Sequence, residues 1–411
     1  MKSYLYDVMF GKVFDMLLIL CLTSSCGIVE LGGPGVEDSS SPVWISPSYQ
    51  ETTPSGRSTC YITALDYPDG YNWISDKEVG TVRCSLVVFA DGVPVMKIPV
   101  GDEHFVSGES DMHRVIGGQV YTDYSTESHT IIKRNAEELF RYEAREMICD
   151  MVVVEDDVYT LGQNRDSEGF SFRRNGTVMM KRESGYTFGR LQHSGDSICF
   201  AFSEPVRSVE GVMERYYHVI NGKVSQVAVR EDVNRVWDIL FFNGKVFCLL
   251  SVTGLKAPVL YCDGELTALE MSSSSSVSSC RFIASDKSLF VEGTVPASSG
   301  RTISLLWKGT RLSHSFSGMT VSSLCSQDDG ICCIAIAQNP SRKGIIYRCG
   351  ETFDIPSGYF AVGAMPMAII DGILHVGLSS QHCDKPMIWK DGIVEQLDIN
   401  GPICTVTSVL P

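Results

Sequence analysis

A ladder of turn dipeptides, set between short apolar runs at near-constant spacing, constrains this sequence more than any other feature. One series reads Asp91-Gly92, Arg134-Asn135, Asn175-Gly176, Asn221-Gly222, Asp263-Gly264, Lys308-Gly309, Cys349-Gly350 and Asp391-Gly392. Its steps of about 40–46 residues fall in the range of a four-stranded propeller blade. A second series interleaves with it: Asp69-Gly70, Gly117-Gly118, Asp156-Asp157, Gly195-Asp196, Asn243-Gly244, Asp286-Lys287, Asp329-Gly330 and Asp371-Gly372. Two-residue hairpin loops need positive φ at both central positions, which Asn, Asp and Gly tolerate best. Two hairpins per period make four strands per unit.

One unit reads in full. Val236–Phe242 is its first strand, turned by Asn243-Gly244 into Lys245–Ser251. The connection Thr253–Ala257 leads to Pro258–Cys262, which pairs across Asp263-Gly264 with Glu265–Glu270. These runs are short and rich in β-branched and aromatic residues, as strands are. Eight such units fit between about Ser58 and Asn400, followed by a leftover run, Ile403–Val409, that matches a first strand. The expected fold is therefore an all-β propeller of eight four-stranded blades, closed by the C-terminal strand so that no sheet edge is left open. Seven blades is the alternative, with the first unit and the terminal strand sharing one. The segment Asn135–Arg141 is the best helical candidate, although it lies where a strand should be. Phe89, Tyr261, Tyr347 and Trp389, three residues before a turn glycine, and Trp307, one place nearer, are expected to pack between adjacent blades.

The amino terminus reads as an address. Lys2 and Lys12 precede the apolar run Met16–Leu22, which is too short to span a bilayer and ends in the small residues Thr23, Ser24 and Ser25 before Cys26. Ser25-Cys26 matches a lipobox, whereas Thr23 departs from its usual aliphatic position. Residues 1–25 are thus expected to be a signal peptide and Cys26 the lipidated residue. Residues 26–42, rich in Gly and Ser and acidic, form a flexible tether, and residues 43–411 the propeller. Acyl chains on Cys26 would make the membrane a partner, placing the protein at the outer membrane or cell surface.

Composition bounds the partners further. An apolar share of 44% with a charged share of 20% belongs to a folded chain rather than a disordered one. A net charge of −15 without Lys/Arg patches argues against nucleic acid. The 15 cysteines include no C-x-x-C pair and sit mostly singly in apolar runs, which suits buried thiols; a set of long-range disulfides stays open. Cys332 and Cys333 point to opposite faces of a strand and cannot share a metal. No metal or cofactor is expected: His382-Cys383-Asp384 is the one tight ligand cluster, in a polar loop, and a site there needs further ligands from elsewhere.

Both hairpin series belong on one face of such a propeller and the longer connections on the other, where ligand contacts usually sit. The candidate binding residues are accordingly His104, Tyr186, Phe188, Arg190, Arg235, Trp237, Tyr359 and Phe360. They combine aromatic rings with charged groups, suited to a glycan or peptide by stacking and bidentate hydrogen bonds. No G-x-S-x-G elbow, P-loop, H-E-x-x-H or EF-hand loop occurs. Asp166–Phe172 resembles the tail of a sialidase-type Asp box, lacks its leading serine, and falls between second and third strands. Ser272–Ser276 reads as an inter-blade loop.

The lipobox-like start, the tether and the turns Trp389-Lys390-Asp391-Gly392 and Trp307-Lys308-Gly309 together resemble propeller lipoproteins of Bacteroidetes-type bacteria, whose repeats carry a W-K-[ND]-G turn. The resemblance implies export and attachment to a membrane and carries over no activity. The leading functional expectation is a non-enzymatic binding or scaffolding protein of the cell envelope, its ligand a glycan, a peptide or an envelope protein. The alternatives are a carbohydrate-active enzyme with a carboxylate pair on the loop-rich face, its catalytic residues unassigned, and a purely structural envelope component.

Overall fold

In the computed structural model the chain forms eight antiparallel sheets set around a common axis, a β-propeller. The structure describes residues 44–45, 58–68, 84–100, 113–125, 128–194, 197–208, 211–227, 232–271, 275–284, 288–297, 301–327, 330–338, 343–361, 366–380 and 385–409. Among them there is no helix, and so none long and apolar enough to cross a membrane.

Blades II, III, V, VI and VII each use four consecutive strands, falling within residues 113–142, 146–182, 233–268, 279–317 and 319–354 respectively. Blade III, for example, runs Glu146–Val154, Asp157–Asn164, Phe170–Arg174 and Thr177–Arg182 from the axis outward. In blades IV and VIII the innermost position is shared by two short pieces, Tyr186–Thr187 with Gln192–Ser194 and Tyr359–Phe360 with Met367–Ile370. Blade I closes the ring. Its innermost strand is the C-terminal Ile403–Val409, paired with Thr59–Asp66, and Cys84–Ala90, Val93–Val100 and the short Trp44–Ile45 follow outward. The first unit and the terminal strand therefore do share a blade, and the count is still eight.

Closure from both ends of the chain also corrects the turn ladder. The first hairpin of blade I would join strands at opposite ends of the sequence, so Asp69-Gly70 cannot make it. That dipeptide falls in the connection between Thr59–Asp66 and Cys84–Ala90, and outside the described residues. Asn175 and Gly176, with φ of 48° and 78°, and Asn243 and Gly244, with 49° and 75°, have the expected backbone, whereas in blade III Glu155, with φ of 55°, and Asp156 make the first hairpin loop and Asp157 already belongs to the second strand. Two loops lie one residue later than the dipeptides suggest. Asn135-Ala136 turns blade II, with φ of 48° and 73°, and Gly309 opens the turn of blade VI.

The helical reading of Asn135–Arg141 is overturned. Glu137–Tyr142 is the outer strand of blade II, in register with Thr130–Arg134. Helix-forming Glu, Leu and Arg favour a helix only weakly, and backbone pairing with an adjacent strand outweighs that preference.

The core is a ring of seams between blades. Trp307, wholly buried, packs among Leu240, Leu249 and Leu269 of blade V and donates its indole N–H to the Glu270 carbonyl at 2.6 Å. Trp389 of blade VIII lies 5.2 Å from Phe353 of blade VII, and Tyr347 of blade VII 5.6 Å from Phe316 of blade VI. Phe89 packs with Ile388 and Leu397 across the closing seam. These third-strand aromatics thus seal their own blades to the preceding ones, as their spacing predicts. Cys332 and Cys333 enter different clusters on the two faces of their strand.

Candidate functional site

The inner strands of alternate blades carry a bulge, at Cys404 in blade I, Cys149 in III, Trp237 in V and Ser322 in VII. A bulge adds one residue and re-aims the side chains beside it. In blades III and V the residue after it is an aspartate, and both aspartates do the same work. Asp150 accepts the backbone N–H of Met151 at 2.8 Å and, across the seam, that of Leu191 in blade IV at 2.6 Å. Asp238 accepts Ile239 N–H at 2.8 Å and, across the next seam, Phe282 N–H of blade VI at 2.8 Å. Each also faces an arginine of the preceding blade, Arg114 for Asp150 and Arg190 for Asp238.

The result is a polar stitch through five blades, from Arg114 to Phe282, beside the axis. Burial pushes the pKa of both aspartates up, and the arginine and the backbone donors oppose that shift. A buried carboxylate is tolerable where donors surround it, as here. Glu146, also buried, is held by Arg173 at 2.7 Å, whose guanidinium lies 4.3 Å from the centre of the Tyr142 ring. Gly162 makes room for it, since a Cβ there would come within 2.6 Å of the Glu146 carboxylate.

On the loop-rich face, Arg145, Met147, Gln163, Asn164 and Arg165 line an open cleft of ≈ 340 Å³. Arg145 comes from the connection that enters blade III, and Arg165 from the connection between its second and third strands. The Arg165 N–H donates to the Arg145 carbonyl at 3.0 Å, so both guanidinium groups spring from one place. Desolvation lowers the Arg165 pKa despite neighbouring Asp166. Gln163 donates to the carbonyls of Gly169 and Gly185 at 2.9 and 3.1 Å and accepts Thr187 N–H at 3.4 Å, which fixes the start of blade IV, including Tyr186, beside this cleft. Tyr186 is exposed, and burial of its hydroxyl together with Glu168 raises its pKa. A second void, between blades IV and V, measures ≈ 10 Å³, about the size of one water. It holds no ligand-sized group.

The candidates read from sequence divide into groups. Arg190, Arg235 and Trp237 enter two separate contacts. Arg190 reaches Asp238 at 2.7 Å and the Phe282 carbonyl at 3.2 Å, while exposed Arg235 stacks 4.2 Å above the half-buried Trp237. Phe188 turns inward, 6.4 Å from Tyr216. Tyr359 and Phe360 sit in blade VIII, half-buried, with the Tyr359 hydroxyl donating to the Lys385 carbonyl at 3.3 Å. His104, His382, Cys383, Asp384 and Cys26 lie outside the described residues. Sequence reasoning passed over Arg145, Gln163, Asn164 and Arg165. They obey the same rule as the residues it chose, flanking the long connections of one unit.

No protein-family model matches the chain, and no curated protein matches it. Among solved structures it is similar to NirN, a dihydro-heme d1 dehydrogenase, at TM-score 0.51 and 10% identity over 84% of this chain and 74% of that one. It is also similar to the β-propeller domain of the trilobed protease from Pyrococcus furiosus, at TM-score 0.44 and 12% identity over 72% of this chain and 92% of that one. The acylaminoacyl peptidase of Pyrococcus horikoshii gives 0.45 and 12%, over 77% of this chain and 56% of the peptidase. Identities this low speak to the fold alone. The fold is a β-propeller.

Proposed function

We propose that this chain is a cell-envelope lipoprotein whose propeller binds or scaffolds rather than catalyses, held to the membrane through Cys26. One observation carries the reading over its enzymatic alternative. Of the buried carboxylates, Glu146, Asp150 and Asp238 are each committed to an arginine. A glycosidase needs an acid and a base about 5–10 Å apart and open to substrate; these three are instead taken up in ion pairs, those of Asp150 and Asp238 across seams between blades and that of Glu146 within blade III. On the loop face half-buried Arg145 and Arg165 and exposed Tyr186 share the cleft region with the carboxylates of Asp166 and Glu168, and exposed Arg235 lies over half-buried Trp237. The arginines and rings among them suit an acidic group on a glycan or peptide, gripped by guanidinium forks beside a stacking ring.

The test is a glycan array of acidic and neutral sugars, run beside hydrolysis assays on the same sugars. Binding without turnover, biased to acidic glycans and weakened by joint Arg145→Ala and Arg165→Ala substitution, is the expected result. Release of sugar, or binding indifferent to both arginines, overturns it. For the anchor, Cys26→Ser should move the protein from the membrane fraction to the soluble one.

A further inference from the structure

The loop between third and fourth strands does one repeated job. In blades I, II, III, IV and VIII its first residue is Asp91, Asn135, Asn175, Asn221 or Asp391, with φ between 44° and 50°. Its backbone N–H donates to the carbonyl of a second-strand residue: Cys60, Val120, Val158, Ile198 or Leu374. Its side-chain Oδ1 accepts the N–H of that same residue, at 2.9 Å in four blades and 3.2 Å in blade VIII. The Asx side chain is thus a two-point clamp between the turn and the second strand.

Blade VII keeps half of this device and replaces the rest. Cys349 takes the same position with φ of 47°, and its N–H donates to the Ile331 carbonyl at 2.9 Å. A thiol does not supply the Asx acceptor, and a cysteine gains nothing from left-handed backbone, which crowds its Cβ against the following carbonyl. What the position does provide is proximity. The Sγ of Cys349 lies 3.9 Å from the Sγ of Cys332, the next residue along the second strand. Cys349 is exposed and Cys332 fully buried. Cys325 stands opposite Cys332 in the register of the neighbouring inner strand.

We infer that Cys332 and Cys349 form a disulfide that replaces the Asx clamp of blade VII when the protein meets a disulfide-bearing oxidant. Bonding requires the two sulfurs to close from 3.9 Å to about 2 Å, by rotation about the side-chain torsions. The exposed Cys349, as thiolate, attacks the oxidant's disulfide, forms a mixed disulfide and releases one thiol. Cys332, as thiolate, then attacks the Cys349 sulfur and expels the second thiol. Two protons leave the protein, and two electrons reduce the oxidant's disulfide. Hydrogen bonding to Cys325, with burial added, pushes the Cys332 thiol up and makes the second step the slow one. The inference rests on the export reading only for where the cell would supply the oxidant.

The full chain is incubated with oxidised glutathione, its remaining thiols are alkylated, and the cross-linked peptides are mapped by mass spectrometry without reduction. The expected product joins Cys332 to Cys349, with a Tm a few degrees above that of the reduced protein. Cys325→Ser should keep this link. Cys349→Asn, which restores the repeat's own clamp, should abolish both the link and the oxidant-dependent rise in Tm while the reduced protein stays folded. A Cys325–Cys332 link, no link at all, or an oxidant response unchanged in Cys349→Asn would each overturn the inference. None of these results depends on glycan binding or on lipidation, so they stand apart from the functional test.

Discussion

The guanidinium of Arg190 in blade IV lies 2.7 Å from the Asp238 carboxylate in blade V, whose same oxygen, Oδ2, also accepts the backbone N–H of Phe282 in blade VI. Three blades meet in one charge-assisted group. Arg190→Ala leaves a carboxylate that is 4% exposed with backbone donors alone. Stranding one partner of a buried pair costs about 3–5 kcal/mol; the arginine's partial exposure puts this case at the lower end of that range. Asp238→Asn should cost less, because its amide oxygen still accepts from backbone. Urea denaturation of both variants checks the order, and a stable Arg190→Ala protein would show the pair to be dispensable.

Removing residues 403–411 should abolish the ring. Ile403 and Val406 are buried in the closing seam, and Thr63 meets Thr405 hydroxyl to hydroxyl at 2.7 Å. Without this strand Thr59–Asp66 becomes an open edge with an unpaired ladder, a template for association with other chains. Size-exclusion chromatography should show aggregates in place of a monomer-sized peak. A truncated protein that elutes and melts like the full chain would contradict closure by the terminal strand.

Much of this fold was legible because hairpin loops demand positive φ, and few residues supply it. Asn175-Gly176 and Asp263-Gly264 therefore mark their turns openly. The polar stitch left no such mark. Asp150 and Asp238 read as ordinary polar residues within strands, and only the bulges at Cys149 and Trp237 turn them across a seam toward residues roughly 40 positions away. Arg190 looked like a rim ligand for the same reason: its partner, Asp238, is distant in sequence. Glu137–Tyr142 misled in the opposite way, its helical composition being overridden by the neighbouring strand. Period and turn chemistry are local properties, whereas a site assembled from adjacent blades is not.

Asn175 offers a clean test of the repeat's clamp. Its φ of 48° suits Asn or Gly, and its Oδ1 accepts the Val158 N–H at 2.9 Å. Asn175→Gly keeps the backbone and loses this bond together with the exposed one that the Asn175 amide donates to Asp157, a loss of about 1 kcal/mol. Asn175→Ala loses both bonds and adds left-handed strain of about 1–2 kcal/mol. Thermal melts should therefore rank wild type above Gly above Ala. An Ala variant as stable as the Gly variant would show that the turn relaxes away from its left-handed conformation.

Three histidines set the response to mild acid. Burial lowers the pKa of His218, His314 and His375 below the usual 6.5. His375 is nearly inaccessible, and burial outweighs the opposing effect of the hydrogen bond its Nδ1 donates to the Ile373 carbonyl at 3.1 Å. The unfolded chain takes up protons first as pH falls through 6.5, so it binds more protons than the folded one, and stability drops as pH falls from 6.5 toward the depressed folded values. Asp150 and Asp238, whose pKa values are raised, act with the opposite sign: their burial costs stability as pH climbs from the ordinary aspartate value of 3.8 through their folded values. The histidine window therefore begins at 6.5 and runs downward. Tm measured from pH 7.5 to 5.5 should decline below 6.5, and His218→Asn with His375→Asn should flatten the decline. A wild-type Tm that is level across this range, or a double variant with an unchanged slope, would remove the histidines from the account.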